Sequence, residues 1–200
     1  MANRTGVVRL SGKLNNANDA HPGGGDASPG FVPGMLGAEI EVDAATAAQL
    51  SDTSVATLKS GRYRYVRTLS SGTTAPARGR AALQSTSAQF ETDVVHSDGA
   101  AADDGKCAGV FLNTVTKGNC TWIQVAGNAS VLIKNGITNA TDGNVVVVGT
   151  GTALFDCIAD ATAVTHNLLK SAVGVALGTP TDNAISAALL KYIPTRPGGN

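Results

Sequence analysis

The pattern of hydrophobic and polar positions divides most of this chain into short runs that alternate with period two. In the clearest run, Arg62 and Arg64 fall on one face, and Tyr63 and Tyr65 fall on the other. Such alternation over roughly four to eight residues is typical of a half-buried β-strand. Further strands are predicted at residues 36–42, 77–83, 88–95, 109–115, 121–125, 130–133, 144–148, 173–177 and 185–193, and a short one at 7–10.

Two segments are rich in helix-forming residues. Residues 44–50 are predicted as a short helical turn, because Asp43 is placed to cap it. Residues 185–193 contain alanines and leucines that are compatible with a helix. We predict a strand there, because a one-face helix needs polar residues on its other side and only Ser186 and Lys191 supply them.

Strand candidates recur roughly every 8 to 15 residues with Gly, Asn and Asp between them, which predicts a β-barrel or β-sandwich. Composition agrees, since 42% of the residues are hydrophobic but only 4% are aromatic, and 24 are glycine. Small residues of this kind suit strands joined by tight turns. We therefore predict an all-β fold of short strands, with an extended N-terminal arm at residues 1–34 and a β-rich domain at residues 35–200.

The arm is set apart by its composition. Residues 13–34 have little apolar content, three consecutive glycines at 23–25, and prolines at 22, 29 and 33. Such a segment cannot form a core of its own. Two alternatives remain open: the segment is disordered, or it becomes ordered by lying on a neighbouring protein.

Charge and cysteine content narrow the classes of partner. Lys plus Arg and Asp plus Glu number 15 each, so we expect no general attraction to nucleic acid or to an anionic membrane. The chain has no apolar run of 18 residues, and Met1-Ala-Asn-Arg4 lacks the apolar core of a secretory signal. Cys107, Cys120 and Cys157 form no CxxC pair, which favours free thiols in a reducing cytosol over a disulfide framework.

No motif predicts catalysis, a metal site or a cofactor. The run into Gly149-Thr-Gly151 resembles a dinucleotide-binding turn, but Leu154 takes the place of the third glycine and no helix is predicted after it. The aspartates within residues 97–105 lie in a segment that we predict to be an exposed loop. His96 and His166 have no Ser or Cys nearby in a nucleophile context. We therefore expect a protein that is not an enzyme.

A cluster of cations is the one charge feature that stands out. No acid occurs between Asp52 and Glu91, and the cations of this interval lie on or beside two strands that we predict to be neighbours. The cluster is either a solvated basic face or a patch that docks on an acidic protein surface, since arginine pairs carboxylates bidentately. Single-stranded nucleic acid is the weaker option, because the tyrosines lie on the face opposite Arg62 and Arg64. The candidate contacts are Arg62, Arg64, Arg67, Arg78 and Arg80, beside Lys59.

Three segments carry a resemblance to a known family. Residues 118–132 contain a G-x-x-x-W-[IV]-Q-x-x-G pattern, residues 142–148 a G-[DN]-x-[VL] strand, and residues 171–177 a VGxAL strand. Together with the strand at residues 63–67, they resemble the decoration (cement) proteins of tailed-bacteriophage heads. The likeness covers about residues 35 to 193 at the level of pattern.

This resemblance implies a virion protein on the outer surface of the capsid, made in the host cytoplasm. It implies that the protein bridges adjacent subunits of the major capsid protein and stabilises the shell, acting as a dimer or trimer. Another phage structural role, as a tail-tube or head-completion protein, is the main alternative. An enzyme of nucleotide or carbohydrate metabolism is the alternative from a different class, and only residues 149–151 support it.

Overall fold

We describe the fold from a computed structural model. The described residues are 14–15, 36–69, 74–84, 94–97, 107–135, 137, 140–149, 153–158, 172–191 and 193, with the backbone of 21–22. The elements are β1 (His21–Pro22), β2 (Glu39–Val42), α1 (Ala44–Gln49), β3 (Gly61–Thr68), β4 (Ala81–Gln84), β5 (Val94–His96), β6 (Cys107–Phe111), β7 (Asn119–Leu132), β8 (Val145–Val148), β9 (Phe155–Ile158), β10 (Ala172–Ala176) and β11 (Ile185–Leu190).

Five strands close into a barrel. Strands β3, β5, β4, β6 and β7 are hydrogen-bonded in that order, and β7 pairs in turn with β3. The β3–β5 pair is parallel and the other pairs are antiparallel. Strand β2 pairs with β3 outside this ring. The predicted all-β fold and its barrel are therefore confirmed.

A second ring shares β7 with the barrel. From β7 the hydrogen-bonded order continues through β11, β10 and β8 to β9. The ring closes because Ile133, just past the end of β7, forms a parallel bridge to Phe155 at the start of β9. The Lys134 amide donates to the Phe155 carbonyl at 2.8 Å, and the Lys134 ammonium lies 2.6 Å from Asp156 Oδ2. A hydrogen bond and an ion pair therefore join the two edges of this ring.

Strand β7 serves both rings because it is long. Its 14 residues span roughly 45 Å at the usual rise of a strand. Residues 120–127 pair with β3, and residues 127–132 pair with β11. The sequence predicts two separate strands here, 121–125 and 130–133, whereas the structure has a single strand that runs through both.

Gly127 is the point at which the two rings meet. It is paired with Gly61 at the start of β3 and with Leu190 at the end of β11. Its φ is +90°, and a Cβ placed on it would lie 2.6 Å from the Ser60 carbonyl oxygen. The backbones of β7 and of the segment at Ser60 and Gly61 approach so closely that no side chain fits at Gly127.

The rings enclose one hydrophobic core, and a second core lies outside the barrel wall. The first contains residues from both rings, including Ile123, Val125 and Phe155. The second lies on the opposite face of β3 and β7, under α1. Its members are Leu14, Val42, Ala47, Leu58, Tyr63, Tyr65, Leu112, Cys120 and Trp122.

The only tryptophan belongs to this outer core. On β7, Trp122 lies on the face opposite to Ile123 and Val125, because side chains alternate along a strand. Trp122 lies opposite Tyr65 in the register, and their rings meet edge to face with centroids 5.2 Å apart.

An irregularity in β10 changes which residues are buried. Strict alternation predicts Val173, Val175 and Leu177 on one face. The register shifts between Ala172 and Gly174, so that Val173 and Ala176 are both buried while Leu177 is 40% exposed. A bulge of this kind moves the side chains that follow it to the other face.

The remaining predictions have mixed outcomes. The helical turn and its cap are confirmed, because the Thr46 amide donates to Asp43 Oδ1 at 2.7 Å. The strand within 185–193 is confirmed, whereas β9 is not predicted. Asp142-Gly143 forms a turn, but the strands on either side of it, β7 and β8, are not paired with each other. Residues 7–10, 85–93 and 150–152 lie outside the described residues.

Within the part of the chain that the structure describes, no helix is long and apolar enough to span a bilayer.

Replacing Gly127 with alanine tests the junction between the rings. We expect Gly127→Ala to lower the free energy of unfolding by about 3 kcal/mol or more, because a positive φ and a backbone clash add together. Gly143→Ala is the matched control, since Gly143 has φ +82° but no atom of the described residues lies within 4 Å of its Cβ position. Gly143→Ala should lower the free energy of unfolding by only about 1 to 2 kcal/mol. Equal losses for both variants in urea titrations would contradict the close approach at Gly127.

Candidate interaction surface

Two of the five candidate arginines are paired with acids on the neighbouring strand β2. Arg62 lies opposite Glu41 and Arg64 opposite Glu39 in the register of β2 and β3. Arg62 Nη2 is 3.0 Å from Glu41 Oε2, and Arg64 Nη2 is 2.7 Å from Glu39 Oε1. Glu39 also lies 3.8 Å from Arg62 and so contacts both arginines.

Arg64 is inside the protein, with a relative exposure of only 1%. Its Nη2 donates to the carbonyl oxygen of Ile193 at 2.8 Å, and the Ile193 amide donates to the Val125 carbonyl at 2.9 Å. Arg64 therefore holds residue 193 against the barrel, and its charge is compensated by Glu39. It has no exposed surface through which to contact a partner.

The cation cluster differs from the predicted one in two further respects. Strand β5 lies between β3 and β4, so the two strands predicted to be neighbours are not paired. The acids that neutralise Arg62 and Arg64 lie upstream of the interval in which the sequence lacks acids. Only the pairing of β2 with β3 brings Glu39 and Glu41 to them.

The other three candidates lie in different places. Arg67 is half-buried opposite Cys120 near the end of β3. Arg80 is half-buried and immediately precedes β4. Arg78 is half-buried, and its Nη1 donates to the Val55 carbonyl at 3.0 Å.

Arg78 and Lys59 line a shallow notch that is open to solvent. Among the residues that the structure describes, no acidic one lines the notch. Tyr63 helps to position its rim, because the Tyr63 hydroxyl donates to the carbonyl oxygen of Lys59. The other lining residues are Ala56, Thr57, Leu58, Val110, Phe111, Leu112, Gln124, Asn128 and Ser130.

An exposed row of apolar side chains lies on the outer face of the second ring. Ile185 and Leu189 on β11 are 40% and 44% exposed, and Leu177 after β10 is 40% exposed. Val175 and Ala187 lie on the same face. We call these five residues the apolar stripe. Large apolar side chains grouped on a surface are typical of an interaction site.

Two residues of the predicted arm dock on this chain's own domain. Leu14 is 3% exposed in the outer core, and its amide donates to the Leu50 carbonyl at 2.9 Å. Asn15 is fully buried. Its side chain donates to the carbonyls of Asp52 and Ala56 and accepts from the Asp52 amide. Strand β1 adds to the start of β7 a few residues further on.

The titratable groups of the described residues do not assemble into a metal site. No cluster of three or more His, Cys, Asp or Glu side chains is present among them. None of the three cysteines forms a disulfide within the described part of the chain. Burial raises the pKa of the Cys120 thiol, and burial together with Asp156 raises the pKa of Cys157 to about 11. Both thiols are therefore protonated at neutral pH and are weak nucleophiles.

The fold is that of an all-β protein in which two five-stranded rings share one strand. Among solved structures, the chain is similar to the N base of the head fibre gp8.5 of bacteriophage phi29. The TM-score is 0.40 with 13% identity, and the match covers 64% of this chain and 92% of that one. No family model and no curated protein matches the chain.

Removing the charge of Glu39 should destabilise the folded protein far more than removing the charge of Glu41. We expect Glu39→Gln to lower the free energy of unfolding by about 2 kcal/mol or more, since it leaves the buried Arg64 charge uncompensated. Glu41→Gln is the control and should cost less than about 1 kcal/mol, because Glu41 is 74% exposed. Similar losses for both variants in denaturant titrations would show that Arg64 does not depend on Glu39.

Alkaline pH should destabilise the protein through Tyr63. Burial raises the pKa of this phenol from 10.0 to about 12. The unfolded chain therefore loses the proton first, and the free energy of unfolding should fall as the pH rises from about 10 to about 12. Urea titrations at several pH values should show a shallower fall for Tyr63→Phe. Cys157→Ala is the control for the thiol that also titrates here, and parallel curves for wild type and Tyr63→Phe would contradict this assignment.

Proposed function

We propose that this chain is a structural virion protein that binds the outside of an assembled phage head and bridges subunits of the major capsid protein. One observation carries the proposal: the segments that resemble the decoration proteins belong to a single wall of the structure. Residues 118–132 contain β7, residues 142–148 contain β8, and residues 171–177 contain β10. These strands are joined through β11 in the order β7, β11, β10, β8.

The surface chemistry of this wall supports the proposal. Its outer face exposes the apolar stripe, and the notch with Lys59 and Arg78 lies beside it. A protein that strengthens a shell needs contacts to two or more subunits, so that these contacts must break before the shell can rupture. Several modest contacts then act together through a high effective concentration. We further propose that the working state is a dimer or trimer.

The direct test is to mix the purified protein with heads that lack it. We expect saturable binding with a fixed number of copies per head, measured by co-sedimentation, and a higher temperature of head rupture. Absence of binding would overturn the proposal. Electron micrographs of the protein alone provide a second check, because rings or stacks would indicate a tail-tube protein instead.

Deletion of residues 2–13 tests the arm separately. This deletion leaves Leu14 and Asn15 in place, so the outer core keeps its contacts. We expect the thermal stability of the protein to change little and its affinity for heads to fall, because contacts to the shell are lost. Undiminished binding would remove residues 2–13 from the interface and leave the wall as the only contact.

A further inference from the structure

The notch and the apolar stripe form one continuous surface. Asn128 and Ser130 line the notch from β7. In the register of β7 and β11, Asn128 lies opposite Leu189 and Ser130 opposite Ala187. Directly opposite residues of an antiparallel pair have their side chains on the same face, so the stripe begins one strand away from the notch.

Both cations of the notch lie next to the stripe. Lys59 is close because the Asn128 amide donates to the carbonyl of the following residue, Ser60, at 3.3 Å. Arg78 is close because a Cβ on its neighbour Gly79 would lie 2.5 Å from Ile185 Cδ1. The backbone at residues 59 and 78 therefore lies near opposite ends of β11, and the two residues line the same notch between them.

The charges of this surface have one sign. Within the described part of the chain, neither Lys59 nor Arg78 forms an ion pair, in contrast to Arg62 and Arg64. None of the described residues that line the notch is acidic, and the stripe is uncharged. Of the five guanidinium N–H groups that Arg78 carries, one donates to Val55, so others are available for a carboxylate.

We propose that the notch and the apolar stripe are one docking surface, and that its partner is a protein segment presenting carboxylates beside apolar side chains. A carboxylate enters the notch between Lys59 and Arg78, and the neighbouring apolar side chains cover the stripe. This inference rests on the proposed function, since it names the chemistry of the capsid surface that the protein binds. The apolar stripe distinguishes such a partner from nucleic acid, whose phosphates would use the cations alone.

Head binding by single-residue variants tests the surface. We expect Arg78→Gln and Leu189→Gln each to weaken binding by about tenfold or more. Arg78→Gln leaves the carboxylate of the partner unpaired, and Leu189→Gln removes an apolar contact. Arg78→Lys should recover part of the loss, since lysine keeps the charge but not the bidentate geometry. Thermal melting of each variant verifies that it is folded.

Matched controls lie elsewhere on the molecule. Arg62→Gln removes an arginine that is already paired with Glu41, and Leu36→Gln removes a leucine that is 41% exposed outside the stripe. Both controls should bind heads within about twofold of wild type. If wild type binds heads and Arg78→Gln and Leu189→Gln bind equally well, the docking surface is wrong although the proposed function stands.

A second assay separates the surface from the proposed function. Fluorescence anisotropy should show binding of a labelled peptide of alternating glutamate and leucine, and this binding should be lost in Arg78→Gln and Leu189→Gln. A lysine–leucine peptide is the control and should not bind. Failure of the glutamate–leucine peptide to bind wild type would overturn the docking surface, whatever the outcome with heads.

Two other outcomes would also overturn the proposed docking surface. Binding of oligothymidylate that Arg78→Gln abolishes but Leu189→Gln leaves unchanged would assign the notch to nucleic acid. A dimer in sedimentation velocity that Leu189→Gln dissociates would assign the stripe to a second copy of this chain.

Discussion

The close approach of β3 and β7 at Gly127 is the constraint on which the rest of the structure depends. Because Gly127 has no side chain, the start of β3 lies against the middle of β7, and the first ring ends there. From the same residue onward, β7 pairs with β11 and begins the second ring. One long strand thus forms a wall of two rings, and each ring limits the position of the other.

The pairing of β2 with β3 decides which cations face the solvent. Glu39 holds Arg64 inside the protein, and Arg64 in turn holds the backbone at residue 193. A buried guanidinium is tolerated only where a carboxylate and a carbonyl satisfy it. Arg64 is therefore part of the scaffold, whereas Arg78 and Lys59 line the notch and carry the proposed contact.

Much of the fold can be predicted from short-range patterns. The alternation at residues 62–66, the valine run of β8 and the cap at Asp43 each depend on residues a few positions apart, and all three correspond to elements of the structure. The candidate surface is harder to predict, because its parts come from distant segments. Lys59, Arg78, Asn128 and Leu189 become neighbours only when β7 pairs with β11 and the residues before β4 pack on them.

The sequence by itself determined the fold class of the protein, because small and β-branched residues in short alternating runs favour strands and few segments suit a helix. Tertiary structure alone decided the direction in which individual side chains point. The bulge at Ala172 to Gly174 buries Val173 and exposes Leu177, and the distant Glu39 withdraws Arg64 from the surface. Alternation assigns residues to two faces, but the partner strands decide which face is buried and which charges are neutralised.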